Sequence, residues 1–286
     1  MERLSQYIAS INEKKAAIFI GAGVSALAGC SNLKEICKML GEIEEIKEHF
    51  KKINLDRSTP REIITDVKGK LVSEEGKRAF DGTMRKGIIY DHNKFEEVYI
   101  PFIKKLKYLN PWPPVITTNV DYCLTQSGQF DVLKVYHKLN HMSISNLVGG
   151  GVFHIHGYVE NVAGQVWDIQ AYTKRYRDRK FTSFLRNILA NYSVLFLGYG
   201  LEDAELRNIM SEAKKHSNNS ICHFALFSDD TDKVPDEEVY KELYKIQIIK
   251  YGPIKNFVEI ISSWIESNFS NASIGNNNQV MFPPSF

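Results

Sequence analysis

The chain has 286 residues, enough to bury one large core but tight for two unrelated full-size domains. Lysine and arginine total 36 against 34 aspartates and glutamates, so the net field is close to neutral and gives no generic attraction for polyanions. No apolar run reaches the roughly 20 residues a membrane helix needs, no apolar signal segment opens the chain, and Cys30, Cys37, Cys123 and Cys222 show neither metal-ligand spacing nor a disulfide-rich pattern. The expectation is a soluble protein of the reducing cytoplasm, with no structural metal.

In chain order, Leu4, Ile8 and Ile11 fall at helical spacing and predict a helix over residues 1–15, followed by a buried strand that runs through Ile20. That strand stops on GAGVS, Gly21 to Ser25. Residues 33–50 read as helix. Residues 51–93 are strongly charged with weak periodicity and predict a helical insert outside the sheet, taken with the amphipathic segment that follows as about 51–109. Pro111, Trp112, Pro113 and Pro114 then break the chain before a strand over 115–118, which ends on TTNVD. Glycines 149–151 introduce VFHIHG, and residues 173–192 predict one long helix feeding the apolar strand 194–197, which ends on GYG. Helix 203–216, strand 222–227, helix 236–244, strand 246–250 and helix 255–269 complete the alternation. This order predicts an α/β fold, a Rossmann-like, mostly parallel sheet with helices on both faces and a smaller helical insert. One domain is expected over 1–269. The Asn- and Ser-rich residues 270–286 read as a flexible or docking tail.

Gly21, Gly23 and Ala26 fit the G-x-G-x-x-G/A pattern of a dinucleotide-binding turn, where small residues permit the turn, the approach of backbone to a pyrophosphate and close helix packing. Ser25 adds a hydroxyl donor. No acidic residue stands clearly about 20 positions on, because Glu42, Glu44 and Glu45 sit in an apparent helix, so the chain does not read as a dehydrogenase. In an open α/β sheet ligands lie beyond the carboxyl ends of the strands, and TTNVD, HIHG and GYG all fall there. His154 shares a strand face with His156, but no third ligand at recognisable spacing completes a metal site. The basic run Lys174, Arg175, Arg177, Arg179 and Lys180, with Tyr176 interleaved, reads as a solvated helix face, and a nucleic-acid or partner contact is the other reading.

Four motifs in this order, GAGVS at 21–25, TTNVD at 117–121, HIHG at 154–157 and LFLGYGLEDAELRNIM at 195–210, resemble the sirtuin superfamily, specifically the SIR2-like proteins of prokaryotic antiphage defence. The resemblance covers most of the first 210 residues and implies NAD+ as substrate, with Asn119 orienting the attacked ribose or a water and His156 acting as general base. It further implies that Gly21, Ala22, Gly23, Ser25, Thr118, Asp121, Gly198 and Gly200 bind the dinucleotide, the last two at its adenosine end. A turn-capping role for Asn119 and a helix-capping role for Asp121 stay open. Protein-deacylating sirtuins carry two CxxC pairs after the His-Gly motif, whereas no cysteine lies between Cys123 and Cys222 here. The resemblance therefore implies an NAD+ glycohydrolase acting in defence, with an NAD+-dependent protein deacylase and a non-catalytic nucleotide-sensing subunit as alternatives. It also implies a homo-oligomer or a separately encoded partner such as a HerA-like ATPase or a short Argonaute, any nucleic-acid contact being indirect.

Overall fold

The computed structural model describes residues 4–129, 134–161, 164–217, 220–230 and 234–269. The sequence-predicted tail, 270–286, lies outside these residues. Seven strands form one sheet: β1 Ala16–Ile20, β2 Val115–Thr117, β3 Val135–Tyr136, β4 Val152–His154, β5 Ser193–Leu197, β6 His223–Phe227 and β7 Ile246–Lys250. Their spatial order is β3-β4-β2-β1-β5-β6-β7, and all six pairings are parallel. The fold is the expected α/β, Rossmann-like one.

Parallel strands need crossovers that cover both sheet faces, so their side chains are apolar on both sides. β1 shows this directly. Ile18 and Ile20 enter a cluster with Tyr7 of helix Ser5–Asn12, Phe102 and Leu106 of helix Ile100–Leu106, and Trp264 and Ile265 of helix Phe257–Phe269. Ala17 and Phe19 point the other way, toward Phe184, Leu185 and Ile188 of helix Arg179–Asn191 and Leu206 and Met210 of helix Ala204–Lys214.

A third cluster stands apart from the sheet. It joins Ile36, Cys37 and Leu40 of helix Leu33–Leu40 to Ile63, Ile64 and Val67 of helix Pro60–Lys70 and Phe80 and Met84 of helix Glu74–Gly87. The helical insert predicted over about 51–109 would divide differently on this packing, since residues 33–40 join the small cluster and Phe95, Tyr99 and Phe102 join the sheet.

Two helix boundaries differ from the sequence reading. Residues 33–50 do not form one helix, because helix Leu33–Leu40 stops at Gly41 and short turns follow. Residues 173–192 are two helices, Ile169–Arg177 and Arg179–Asn191. Asp178 takes φ −71° and ψ 117° between them and accepts the Phe181 N–H, capping the second helix. The short edge strand β3 escaped the sequence reading altogether.

Two buried histidines tie the sheet to pH. Burial pushes the imidazoles of His154 and His223 down to about 4, and His223 Nδ1 accepts the Val194 N–H at 3.2 Å. An unfolded histidine titrates near 6.5, so between about pH 6.5 and 4 the unfolded chain binds protons that the folded chain refuses. Stability is therefore complete above that window and falls as pH drops through it, by up to about 1.4 kcal/mol per pH unit per histidine. The urea midpoint is expected to be lower at pH 5 than at pH 7. Equal midpoints would mean that water reaches both rings.

Candidate active site at the carboxyl ends of the strands

The strand order reverses at β1, which pairs with β2 on one side and β5 on the other, and the rule for open sheets puts a ligand crevice there. A cavity of about 450 Å³ occupies that position. Of the ten residues singled out from sequence, Ala22, Ser25, Thr118, Asn119, Asp121, His156, Gly198 and Gly200 line it. Gly21 and Gly23 do not.

Those two glycines serve the wall from behind. The turn after β1 crosses the loop after β5, and the Gly23 N–H donates to Gly198 O at 2.9 Å. A Cβ on Gly21 would lie 2.4 Å from Gly198 O, and one on Gly23 would lie 2.9 Å from Gly198 Cα. The small residues are thus required by the crossing of two backbones, whatever the ligand.

Beyond β2, a chain of hydrogen bonds orients the polar side chains. Thr117 Oγ1 donates to Ile20 O at 2.8 Å and accepts the Asn119 N–H at 3.0 Å. The Asn119 amide nitrogen donates to Gly21 O at 2.9 Å and to Ser25 Oγ at 2.8 Å, and Ser25 Oγ donates to Asp121 Oδ2 at 2.7 Å. A carbonyl only accepts, so the amide must present its NH2 to Gly21. Among the described residues its Oδ1 has no hydrogen-bond partner, and Asn119 lines the cavity. Asp121 Oδ1 accepts the Cys123 N–H at 2.9 Å, so this residue caps the following turn and also lines the site.

His156 stands two residues past the end of β4 and not on it. Its Nε2 lies 3.0 Å from the Tyr176 hydroxyl, which donates to Asp203 Oδ2 at 3.3 Å. Tyr172 donates a short hydrogen bond to Asp203 Oδ1, and the same oxygen caps helix Ala204–Lys214 by accepting the Leu206 N–H at 3.1 Å. Arg61 completes the group, with its guanidinium 4.3 Å over the Tyr172 ring and 3.8 Å from Asp203 Oδ2. Burial, then the Arg61 and Arg175 cations, hold the His156 imidazole well below the usual histidine range. His156 is therefore neutral at pH 7, as a base must be.

His154 plays a different part. Its Nδ1–H donates to Asn119 O at 2.7 Å, and its Nε2 is sealed without a partner. It supports Asn119 from behind and does not line the cavity, so the histidine pair weighed from sequence does not meet as two ligands.

The basic run divides. Arg175 is buried, donating to Ile155 O at 2.5 Å and Gly164 O at 2.8 Å, and Tyr176 is buried against His156. Lys174, Arg177, Arg179 and Lys180 are exposed. A solvated face therefore describes four of its cations and fails for Arg175, which braces the turn carrying His156.

Arg61, Tyr172, Tyr176 and Asp203 were not named from sequence as site residues. Only Asp203 left a local signal, the cap position of a helix; the others meet through tertiary packing. Cys30 was missed in the same way. Its thiol lies 3.5 Å from that of Cys123, 93 residues away, and with Asp121 they offer three ligand atoms within 4.8 Å of one another. Each Asp121 oxygen also accepts one hydrogen bond, from the Ser25 hydroxyl and the Cys123 N–H.

The starts of two helices, Asn32 to Lys34 and Thr59 to Arg61, also line the cavity, each closed by its own capping box through Glu35 or Glu62. Helix N-termini carry partial positive charge, and Lys34 and Arg61 add to it. The lining thus combines two cations, Lys34 and Arg61, with an asparagine amide and a neutral histidine.

Residues 113–249 match the family model of the SIR2-like domain. Defense-associated sirtuin 2 of Bacillus subtilis is 23% identical over 292 residues, an alignment covering 93% of this chain and 27% of that protein. The chain thus spans about a quarter of that relative's length. The matched segment contains β2 to β7 and with them Asn119, His156, Tyr176 and Asp203. Over residues 113–249, then, the chain is similar to the SIR2-like domain, and that segment carries most of the parallel sheet and much of the cavity lining.

Proposed function

We propose that the protein is an NAD+ glycohydrolase that cleaves the nicotinamide–ribose bond and so depletes the dinucleotide in defence against phage. The observation that carries this reading is that Asn119 and His156 line one cavity, together with the cations Lys34 and Arg61. Nicotinamide leaves as a neutral group, so no acid need protonate it. What the reaction needs is a fixed water or ribose hydroxyl and a base to take its proton. The Asn119 Oδ1 can accept a hydrogen bond from that hydroxyl, and neutral His156 can remove the proton, a contribution of about 10² to 10⁴ in rate. The anionic diphosphate suits the cations Lys34 and Arg61 in the cavity lining.

The defence role rests on the printed name of the Bacillus relative. Activation by self-assembly or by a separately encoded partner belongs to the same proposal. Incubating the purified protein with NAD+, alone and together with the proteins encoded beside it, is expected to release nicotinamide in at least one condition. Dinucleotide binding without release in every condition would favour a nucleotide-sensing subunit.

A further inference from the structure

The hydroxyl of Tyr176 has one proton and two neighbours that want it, His156 Nε2 at 3.0 Å and Asp203 Oδ2 at 3.3 Å. Where that proton goes decides which nitrogen of His156 faces the cavity as a lone pair. We propose that Asp203 and Tyr176 form a relay that fixes His156 in its Nε2–H tautomer and leaves Nδ1 as the basic atom turned to the cavity.

The carboxylate is the stronger acceptor, since a hydrogen bond to an ionised oxygen is roughly twice as strong as one between neutral groups. With the phenol proton directed to Asp203, the phenol oxygen is free to accept, and His156 Nε2 must carry the hydrogen that fills it. The opposite arrangement would leave Asp203 Oδ2 with only the Arg61 cation at 3.8 Å. It would also turn Nδ1–H toward the cavity, a donor where a base is wanted. The other nitrogen agrees with this assignment: among the described residues Nδ1 has no hydrogen-bond partner, it is not among the sealed, unpartnered atoms, and His156 lines the cavity.

The surrounding groups keep the relay in one state. Burial, and then the neighbouring Asp203, raise the Tyr176 phenol well above its usual range, so it stays protonated and does not pass its own proton on. Asp203 is held by Tyr172, by the Leu206 N–H and by the Arg61 guanidinium. When His156 accepts a proton at Nδ1, the new imidazolium keeps its Nε2–H against the Tyr176 oxygen, with the Asp203 carboxylate behind it. Tyr176 and Asp203 are positioning residues in this scheme, acting on the reaction through His156, although Asp203 also reaches the cavity lining.

The catalytic meaning of the relay rests on the glycohydrolase reading, but the tautomer does not, and it can be read directly. In protein labelled with 15N at histidine, the His156 signals are identified by their loss in His156→Asn. Wild type is expected to show Nδ1 at the position of a bare nitrogen and Nε2 at that of a protonated one. Tyr176→Phe removes the acceptor and is expected to leave a mixture of the two tautomers. Misplacing the tautomer of a catalytic histidine can cost about 10⁴ in kcat. Because both tautomers would stay populated, the expected loss in Tyr176→Phe is only the fraction moved to the other tautomer, about 2- to 10-fold in kcat, with KM little changed. Asp203→Asn should shift the same signals, although it also weakens a helix cap, which makes Tyr176→Phe the decisive variant. A bare Nε2 in wild type, or an unchanged tautomer ratio in folded Tyr176→Phe, would overturn the relay. If wild type cleaves no NAD+ in any condition, the glycohydrolase reading falls while the nitrogen signals still decide the tautomer.

Discussion

Alanine at position 156 is expected to lower NAD+ cleavage by about 10²-fold or more, because it removes the only neutral imidazole that lines the cavity among the described residues. Alanine at position 119 should cost as much, for a different reason. Asn119 supplies the Oδ1 that would hold the attacked or attacking hydroxyl, and small misplacements of a nucleophile are expensive. The two variants differ in what they do to the fold. The Asn119 amide also ties Gly21 O and Ser25 Oγ together; truncation removes both bonds, at about 1 kcal/mol each, while Gly21 O keeps the Val24 N–H and Ser25 Oγ its bond to Asp121. His156 makes one side-chain hydrogen bond, to Tyr176, and its loss should be milder. Nicotinamide release, followed by chromatography under conditions that activate wild type, tests both, with circular dichroism confirming the fold. Wild-type release rates from either folded variant would remove that residue from the chemistry.

The sheet was legible because its strands announce themselves as apolar runs ending on glycine or polar clusters. β1 and β5 are fully buried over five residues each, so periodicity and punctuation agree. β3 was not legible, since two residues of intermediate burial leave no pattern to read. The break at Asp178 was hidden by good helix formers on both sides of one capping residue, which is also a signal that could have found it. At the site, the residues that end strands were found and those that reach in from elsewhere were not. Asn119 and His156 each follow a recognisable strand, whereas Arg61, Tyr172 and Cys30 meet their partners across 142, 31 and 93 positions of chain. A single sequence records spacing along the chain, and these contacts have none. Gly23 shows a subtler limit: its smallness was legible, but the neighbour that demands it, Gly198, was not.

That crossing of backbones yields the other large effect, on stability. Gly198 sits at φ +59°, a conformation a β-branched residue adopts only under strain, and a Cβ there would lie 2.6 Å from Val24 N and 2.9 Å from Gly23 C. Both neighbours are backbone, held by the Gly23 N–H to Gly198 O bond, so neither yields as a flexible side chain would. Gly198→Val is therefore expected to destabilise the protein by about 3 kcal/mol or more, combining dihedral strain with overpacking. For a chain of this size that corresponds to a fall in Tm of roughly 6 °C or more. Two positions on, Gly200 has ordinary backbone angles, and the nearest atom to an added Cβ is Glu202 Cγ at 3.7 Å. Gly200→Ala should therefore shift stability by no more than about 0.5 kcal/mol, as at an ordinary surface position. Melting both variants beside wild type separates a glycine required by the fold from one the fold tolerates. Should Gly198→Val melt with wild type, the turn after β1 and the loop after β5 would not cross as closely as these distances require, and the cavity wall they build together would have to be redrawn.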